Sequence, residues 1–174
     1  MGNHIRHLKP GDKVKMKGPW GKFAYTANEF EEVGMIAGGT GITPMFQIIQ
    51  EILYNDEDNT NIKLLYANKT VSDILIKEKL DALQQEFPTR FKVSYTVDKA
   101  PWTWQFEGET GFVSKGMVER CIFGANQHKK FKIFVCGPPP MINAVSGKKD
   151  GRKQGKLGGC LKQAGFTEEH VYKF

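Results

Sequence analysis

Along the chain, short continuous apolar runs alternate with stretches whose apolar residues recur every three or four positions. Val33-Gly34-Met35-Ile36-Ala37 is such a run and reads as a strand buried on both faces. A glycine cluster follows, then Met45-Phe46-Gln47-Ile48-Ile49-Gln50-Glu51-Ile52-Leu53-Tyr54 at helical spacing, with Thr43 as N-cap and Pro44 at the first helical position. Ile62 to Ala67 reads as a second strand. Ser72-Asp73 cap a predicted helix through Ile74, Leu75, Leu80 and Leu83 to Phe87, where Pro88 stops it. Phe91 to Val97 alternates as a third strand, Gly111-Phe112-Val113 leads to a short helix around Met117 and Val118, and Phe131 to Cys136 is a fourth strand. A helical start at Ile142 and a last strand from Val171 to Phe174 complete the pattern, which predicts an α/β fold. Its sheet is doubly wound, parallel and five- or six-stranded, with ligands at the carboxyl ends of the strands. The first residues differ: Lys13-Val14-Lys15-Met16-Lys17 alternates as a lone strand between the turns Leu8 to Asp12 and Gly18 to Phe23. A lone strand cannot bury its own apolar face, so this segment either packs on the main domain or ends a domain begun earlier.

Composition narrows the picture. At 174 residues, 40% hydrophobic and a quarter charged, the chain suits one α/β domain with a little left over. No apolar run is long enough for a membrane span and no leader pattern opens it, so the chain reads as soluble. Cys121, Cys136 and Cys160 show neither zinc spacing nor a disulfide framework, which fits a reducing compartment. His4, His7, His128 and His170 lack metal spacing and read as surface residues. The net charge of +6 is concentrated in Lys129-Lys130-Phe131-Lys132 and in the Gly/Lys-rich insert from Gly147 to Gly159, read as a surface loop. Solvated loop lysines and a patch steering an acidic partner both explain it. A nucleic-acid role rests on charge alone, without aromatic–basic interleaving on a sheet face.

Four strand ends are chemically loaded. The first carries Gly38-Gly39-Thr40-Gly41-Ile42-Thr43, either a phosphate cradle at a helix N-terminus or a turn tightened for packing; its spacing matches neither G-x-G-x-x-G nor a Walker A loop. The second carries Ala67-Asn68-Lys69-Thr70. The third carries Asp98, which either binds a ribose and repels a 2′-phosphate or forms the turn before Lys99-Ala100-Pro101. The fourth carries Cys136-Gly137-Pro138-Pro139-Pro140-Met141, a rigid loop whose thiol alone is a weak pointer. Trp102 and Trp104 either anchor a connector on the sheet or stack on a base. No acid–base, nucleophilic or metal constellation stands out, which favours a site whose hard chemistry belongs to a cofactor.

Taken in order, these pieces resemble the NADH–cytochrome b5 reductase family, within the broader ferredoxin-reductase group. The matching stretches are Leu8 to Asp12, Gly18 to Phe23, Ile36 to Met45, Tyr66 to Thr70 with Asp73-Ile74-Leu75, Tyr95 to Asp98, Gly111 to Val113, Cys136 to Met141 and the terminal Phe174. The insert and Gly165-Phe166-Thr167 before Val171 to Phe174 look most like the fungal mitochondrial branch. The resemblance implies NADH and FAD as cofactors. Hydride passes from NADH to flavin, and electrons then pass to cytochrome b5, an acidic haem protein. It places Gly38, Gly39, Thr40, Gly41 and Pro44 along the nicotinamide and diphosphate path. Thr40 and Thr43 face the flavin, and Ala67, Asn68 and Asp98 meet the adenosine half of NADH. Cys136, Gly137, Pro138, Pro139 and Met141 hold the nicotinamide, and Phe174 ends near the flavin. Cys136 and Thr40 are the candidate catalytic residues.

In that family an FAD-binding barrel with an Arg-x-Tyr-Ser/Thr motif precedes this region, and no such motif occurs here. The resemblance therefore reads residues 1–27 as the C-terminal remnant of the barrel with its linker, and 28–174 as the NADH-binding domain, FAD belonging to the complete enzyme. The parent family is membrane-associated, at the mitochondrial outer membrane or endoplasmic reticulum, through an anchor not recognised in this sequence. Two other readings stay open: a flavin-free NADH-binding or scaffolding module, and the reductase portion of a nitrate reductase, from which Pro140 leans away.

Overall fold

The computed structural model describes residues 5–18, 21, 23–99, 106–122 and 129–174. Six parallel strands form one sheet: β1 (Glu32–Gly38), β2 (Asn61–Asn68), β3 (Phe91–Val97), β4 (Glu109–Thr110), β5 (Phe131–Cys136) and β6 (Val171–Lys173), in the order β4-β3-β2-β1-β5-β6. The helices that lie wholly within the described residues include α1 (Ile42–Leu53), α2 (Lys77–Glu86), α3 (Lys115–Cys121), α4 (Pro139–Ser146) and α5 (Gly159–Gln163). All seven residues of β1 are buried, as its unbroken apolar run requires of a central parallel strand. One face of the sheet packs Met45, Ile49 and Ile52 of α1 with Leu80 and Leu83 of α2. The other packs Val118 of α3, Ile142 and Val145 of α4 and Leu161 of α5. The fold is the doubly wound α/β sheet predicted from the pattern. Its strand order reverses between β1 and β5, the switch point at which such sheets open a crevice.

Several local expectations are corrected. Helix α1 begins at Ile42, because a 3-10 turn over Gly39–Gly41 runs straight into it with Gly41 already helical (φ −63°, ψ −8°). Thr43 is therefore not the N-cap: its Oγ1 donates back to the Thr40 carbonyl at 3.0 Å, and Pro44 falls at the third helical position. Ser72 and Asp73 do not cap a long helix. They belong to a 3-10 turn closed by Thr70, whose N–H and hydroxyl both donate to Asp73 Oδ2, and Ile76 at φ +50° breaks the chain before α2. Lys13 to Lys17 forms no ladder with any described strand, which leaves Val14 and Met16 exposed. Strand β4 and helix α5 escaped the pattern because each is too short to show a period. The insert is not a surface loop throughout, since Leu157 near its end is buried. His170 is half-buried, its ring stacked 4.4 Å from that of Phe131. His4, His128, Trp20, Trp102 and Trp104 lie outside the described residues. Among those described, no helix is long and apolar enough to cross a membrane.

The first residues are tied to the sheet at two places. Phe23 packs edge-on against Phe134 (centroids 4.9 Å apart) and against Tyr172 (5.1 Å). Two residues on, Tyr25 donates to Asp58 Oδ2 at 2.6 Å, and Asp58 Oδ1 accepts from the Thr60 N–H at 2.9 Å. Asp58 and Thr60 are fully buried, and Thr60 Oγ1 donates in turn to the Phe30 carbonyl. Burial alone pushes the Asp58 carboxyl up, but the hydrogen bonds from Tyr25, Thr60 and the Asn28 N–H outweigh it and hold the group below its ordinary value. Burial and then the carboxylate raise the Tyr25 phenol far above its own ordinary value, so it stays a donor.

Replacing Asp58 by Ala strips buried donors of their acceptor and is expected to cost about 1–3 kcal/mol, read as a lowered urea midpoint. The folded carboxyl titrates below its ordinary 3.8. Its contribution is thus complete above about pH 5 and is lost as the pH falls through that value toward the lower folded one. Thermal melts across that range should show a shallower acid limb in Asp58→Asn.

Candidate functional site

Register brings the four loaded strand ends to one edge: Gly38 pairs with Ala67, Ala67 with Thr96, and Ala37 with Cys136. Across the switch point, the turn after β1 and the loop after β5 touch backbone to backbone. A Cβ on Gly41 would stand 2.2 Å from the Cys136 carbonyl oxygen, and one on Gly38 would stand 2.3 Å from Met141 Sδ and 3.1 Å from Pro138 Cδ. A Cβ on Gly137 would meet Met141 Sδ at 2.9 Å and the Gly38 nitrogen at 3.2 Å. The packing reading of the glycine cluster therefore fits Gly38 and Gly41, and Gly137 in the facing loop is packed in the same way. Gly39 is different: nothing lies within 4 Å of its Cβ position, and its left-handed φ of +51° is one that glycine adopts without strain. The hydroxyl of Tyr66, a fully buried side chain of β2, donates to its carbonyl at 2.9 Å and fixes that peptide.

Thr40 and Thr43 are exposed at the opening of α1 and Pro44 is half-buried behind them. On the β2 side Ala67 is half-buried and Asn68 is 8% exposed. Among the described residues neither atom of the Asn68 amide forms a hydrogen bond, although the group lies close enough to the Tyr66 hydroxyl to oppose the rise that burial causes in that phenol's pKa. A buried amide with both ends unpaired is costly unless something else satisfies it, and here it sits at the ligand end of the sheet. The Asp98 N–H donates to the Asn68 carbonyl at 3.1 Å, so the ends of β2 and β3 are bound together while the Asp98 side chain is exposed.

Cys136 and Met141 are half-buried, and Pro138, Pro139 and Pro140 exposed. Phe174 closes the far side: its N–H donates to the Val135 carbonyl at 3.0 Å and its ring packs on Phe134 and Tyr172. The two helices that open here differ in kind. The 12-residue α1 runs on from the 3-10 turn; the Ile42 N–H donates back to the Gly39 and Thr40 carbonyls and Pro44 has none, so the donors at its head come from the rest of the glycine turn and first helical turn. The α4 start is Pro138 at the N-cap, then Pro139 and Pro140, none of which has an N–H to offer. A diphosphate is therefore favoured at α1 and an apolar ring at α4.

Sequence reasoning missed one rim residue. Phe112 is 81% exposed beside the β3 end, where Gly111 (φ +99°) accepts from Thr96 Oγ1 and donates to the Val97 carbonyl. An aromatic next to a glycine at a strand end was the available signal. Two depressions of about 550 and 480 Å³ lie away from the strand ends, one along α1 around Gln50 and Tyr54, the other around Lys162 and Glu168, and neither contains an expected site residue.

A doubly wound sheet with a glycine turn and a polar-poor loop facing each other across its switch point defines a dinucleotide-binding class of α/β domain. Residues 35–147 match the oxidoreductase NAD-binding domain model, and the chain belongs to that family. It is 47% identical over its whole length to NADH-cytochrome b5 reductase 2 of Mycosarcoma maydis and 45% identical to that of Scheffersomyces stipitis, covering 49% and 57% of them. The chain thus spans about half the length of these curated relatives. Among solved structures it is similar to the cytochrome b5 reductase domain of Ulva prolifera nitrate reductase. That match has a TM-score of 0.83 and 35% identity, over 99% of this chain and 64% of that one.

The two kinds of glycine should separate by mutation. Gly41→Ala drives a methyl into the Cys136 carbonyl and is expected to cost about 1–3 kcal/mol in urea unfolding. Gly39→Asn, whose side chain has room and whose residue type tolerates the left-handed region, should stay within about 1 kcal/mol of the parent.

Proposed function

We propose that this chain is the NADH-binding half of an NADH–cytochrome b5 reductase. The observation that supports this best is the unpaired Asn68 amide, buried between the glycine turn and Asp98 at the one edge where the loaded strand ends converge. In this reading the head of α1 takes the diphosphate, Asn68 and Ala67 the adenosine side, and Asp98 the ribose hydroxyls, with the exposed Phe112 ring offering a wall for the base. Gly137, Pro138, Pro139 and Met141 form the apolar seat of the nicotinamide, and Cys136 stands at its edge. Thr40, Thr43 and Phe174 face the side from which FAD approaches in the complete enzyme. The hydride chemistry is supplied by nicotinamide and flavin; the residues here bind, orient and exclude water. Cytochrome b5 as acceptor, a division of the chain near residue 27, and a mitochondrial, membrane-associated setting belong to the same proposal.

A second reading, the reductase portion of a nitrate reductase, draws on the Ulva similarity, and a third is an NADH-binding module without turnover. Calorimetry with NADH, a visible spectrum after adding FAD, and NADH-dependent ferricyanide reduction separate the two reductase readings from the module. Binding with a flavin band and turnover supports the reductase, binding alone selects the module, and no NADH binding rejects all three.

Asp98 sets the cofactor preference in this scheme. Asp98→Thr is expected to narrow the NADH-over-NADPH affinity ratio by on the order of tenfold, about 1.4 kcal/mol, in parallel titrations. Equal binding of the two by the unsubstituted chain would remove the role given to Asp98.

A further inference from the structure

The two lysine-rich stretches of the sequence lie at opposite ends of the sheet. Lys129, Lys130 and Lys132 stand at its amino end, and each is engaged there. Lys129 pairs with Glu32 at 3.3 Å, Lys130 lies 5.7 Å over the Phe30 ring, and Lys132 Nζ donates to the Glu169 carbonyl at 2.6 Å.

The insert lies at the other end. Strand β6 is a sheet edge, and Gln154 closes it as a further strand would: its Oε1 accepts from the Lys173 N–H at 2.6 Å and its Nε2 donates to the Lys173 carbonyl at 3.1 Å. Lys149 Nζ reaches the same carbonyl at 3.0 Å, and the buried Lys173 ammonium donates to the Lys156 carbonyl at 3.1 Å. Within the loop, Asp150 and Lys153 exchange backbone hydrogen bonds, and a Cβ on Gly155 would lie 2.4 Å from the Lys148 carbonyl. This is a built loop, held against the strand. Lys173 is in register with Val135, and the Phe174 N–H reaches the Val135 carbonyl, so the loop stands at the carboxyl end beside Phe174.

Its charge is one-sided. From Lys148 to Lys156 there are five basic residues and one acidic, Asp150, a net +4 in nine residues. Lys148, Arg152 and Lys153 are exposed and form no ion pair with any described residue. Like charges gathered on a fixed scaffold raise the local potential that steers an oppositely charged partner to one place.

We propose that residues 148–156 are the docking platform for an acidic electron-accepting protein, which in the complete enzyme draws its electrons from the flavin on the Phe174 side of the crevice. The inference rests on the reading of that crevice as the NADH site and adds where its partner lands. An anionic membrane offers the same charge chemistry. A protein is favoured because the loop carries no apolar side chain to insert, is hydrogen-bonded to β6, and borders Phe174, on the side proposed above for the flavin's approach.

The 174-residue chain titrated calorimetrically with the soluble haem domain of cytochrome b5, at about 20 mM and about 150 mM salt, tests this. NADH and phosphatidylserine-containing vesicles are titrated separately. Binding that weakens with salt is expected. Lys148→Gln/Arg152→Gln/Lys153→Gln should lower cytochrome affinity at least tenfold and flatten the salt dependence, with NADH binding and the melting temperature unchanged. Lys129→Gln/Lys130→Gln should leave cytochrome affinity as it was. Unchanged cytochrome affinity in the triple variant, equal loss in the amino-end variant, or charge-dependent binding of vesicles without cytochrome would overturn the platform. Failure of NADH to bind would instead reject the crevice reading, and the cytochrome titrations would still decide the role of the loop.

Discussion

Everything at the ligand end of this sheet depends on one close approach: the peptide of Cys136 lies where a side chain on Gly41 would be. That contact, with Gly38 against Met141 and Gly137 against Gly38, draws the ends of β1 and β5 together and seals the base of the switch point. A switch point normally gapes because the crossovers on its two sides leave in opposite directions. Here the gap is closed with backbone, so the floor is made of peptide edges and the selective groups stand around the rim. Gly39, with open space at its Cβ position and its carbonyl held by Tyr66, is the peptide left free to face outward.

The layered fold was legible in the sequence because burial on both faces imposes a signal nothing else produces. The unbroken run Val33 to Ala37 can only be central, and α1 shows its helical period over twelve residues. Elements of two to five residues, β4 and α5, carry no period, and tertiary contacts decide them. The start of α1 was misplaced for a different reason. Thr43-Pro44 is a strong N-terminal signature, but glycine can enter a helix directly from a 3-10 turn, and the hydroxyl then bonds backward to Thr40. The α2 boundary failed similarly, because a capped 3-10 turn imitates a helix start until Ile76 leaves the helical region.

For the candidate site, residue types at strand ends were enough to choose Ala67, Asn68, Asp98 and Cys136, since a parallel sheet delivers all strand ends to one edge. Which glycine packs and which faces outward was not legible. That depends on distances between segments nearly a hundred residues apart, such as Gly41 and Cys136. The orphaned amide of Asn68 was also invisible, because an unmet hydrogen bond is a property of neighbours. Phe112 stands in the Gly111 to Val113 motif with nothing in its residue type to mark it as a rim residue. Its exposure follows from the left-handed Gly111 that turns the chain off β3, and composition cannot report it.

The two helix starts facing each other explain why the crevice suits an amphiphilic ligand better than a simple anion. Were both glycine-led, both would present N–H groups and positive dipole ends, and the crevice would be a uniform anion trap. Three consecutive prolines remove those donors from the α4 side and replace them with ring carbons, while their fixed φ keeps the loop in place without a ligand. The result is a polar half at α1 and an apolar half at α4, at the ends of the neighbouring strands β1 and β5. A dinucleotide, with a diphosphate in its middle and flat rings at its ends, matches that division. An inorganic anion would use half of it. The basic loop over β6 adds charge outside the apolar half, at the sheet edge beside Phe174.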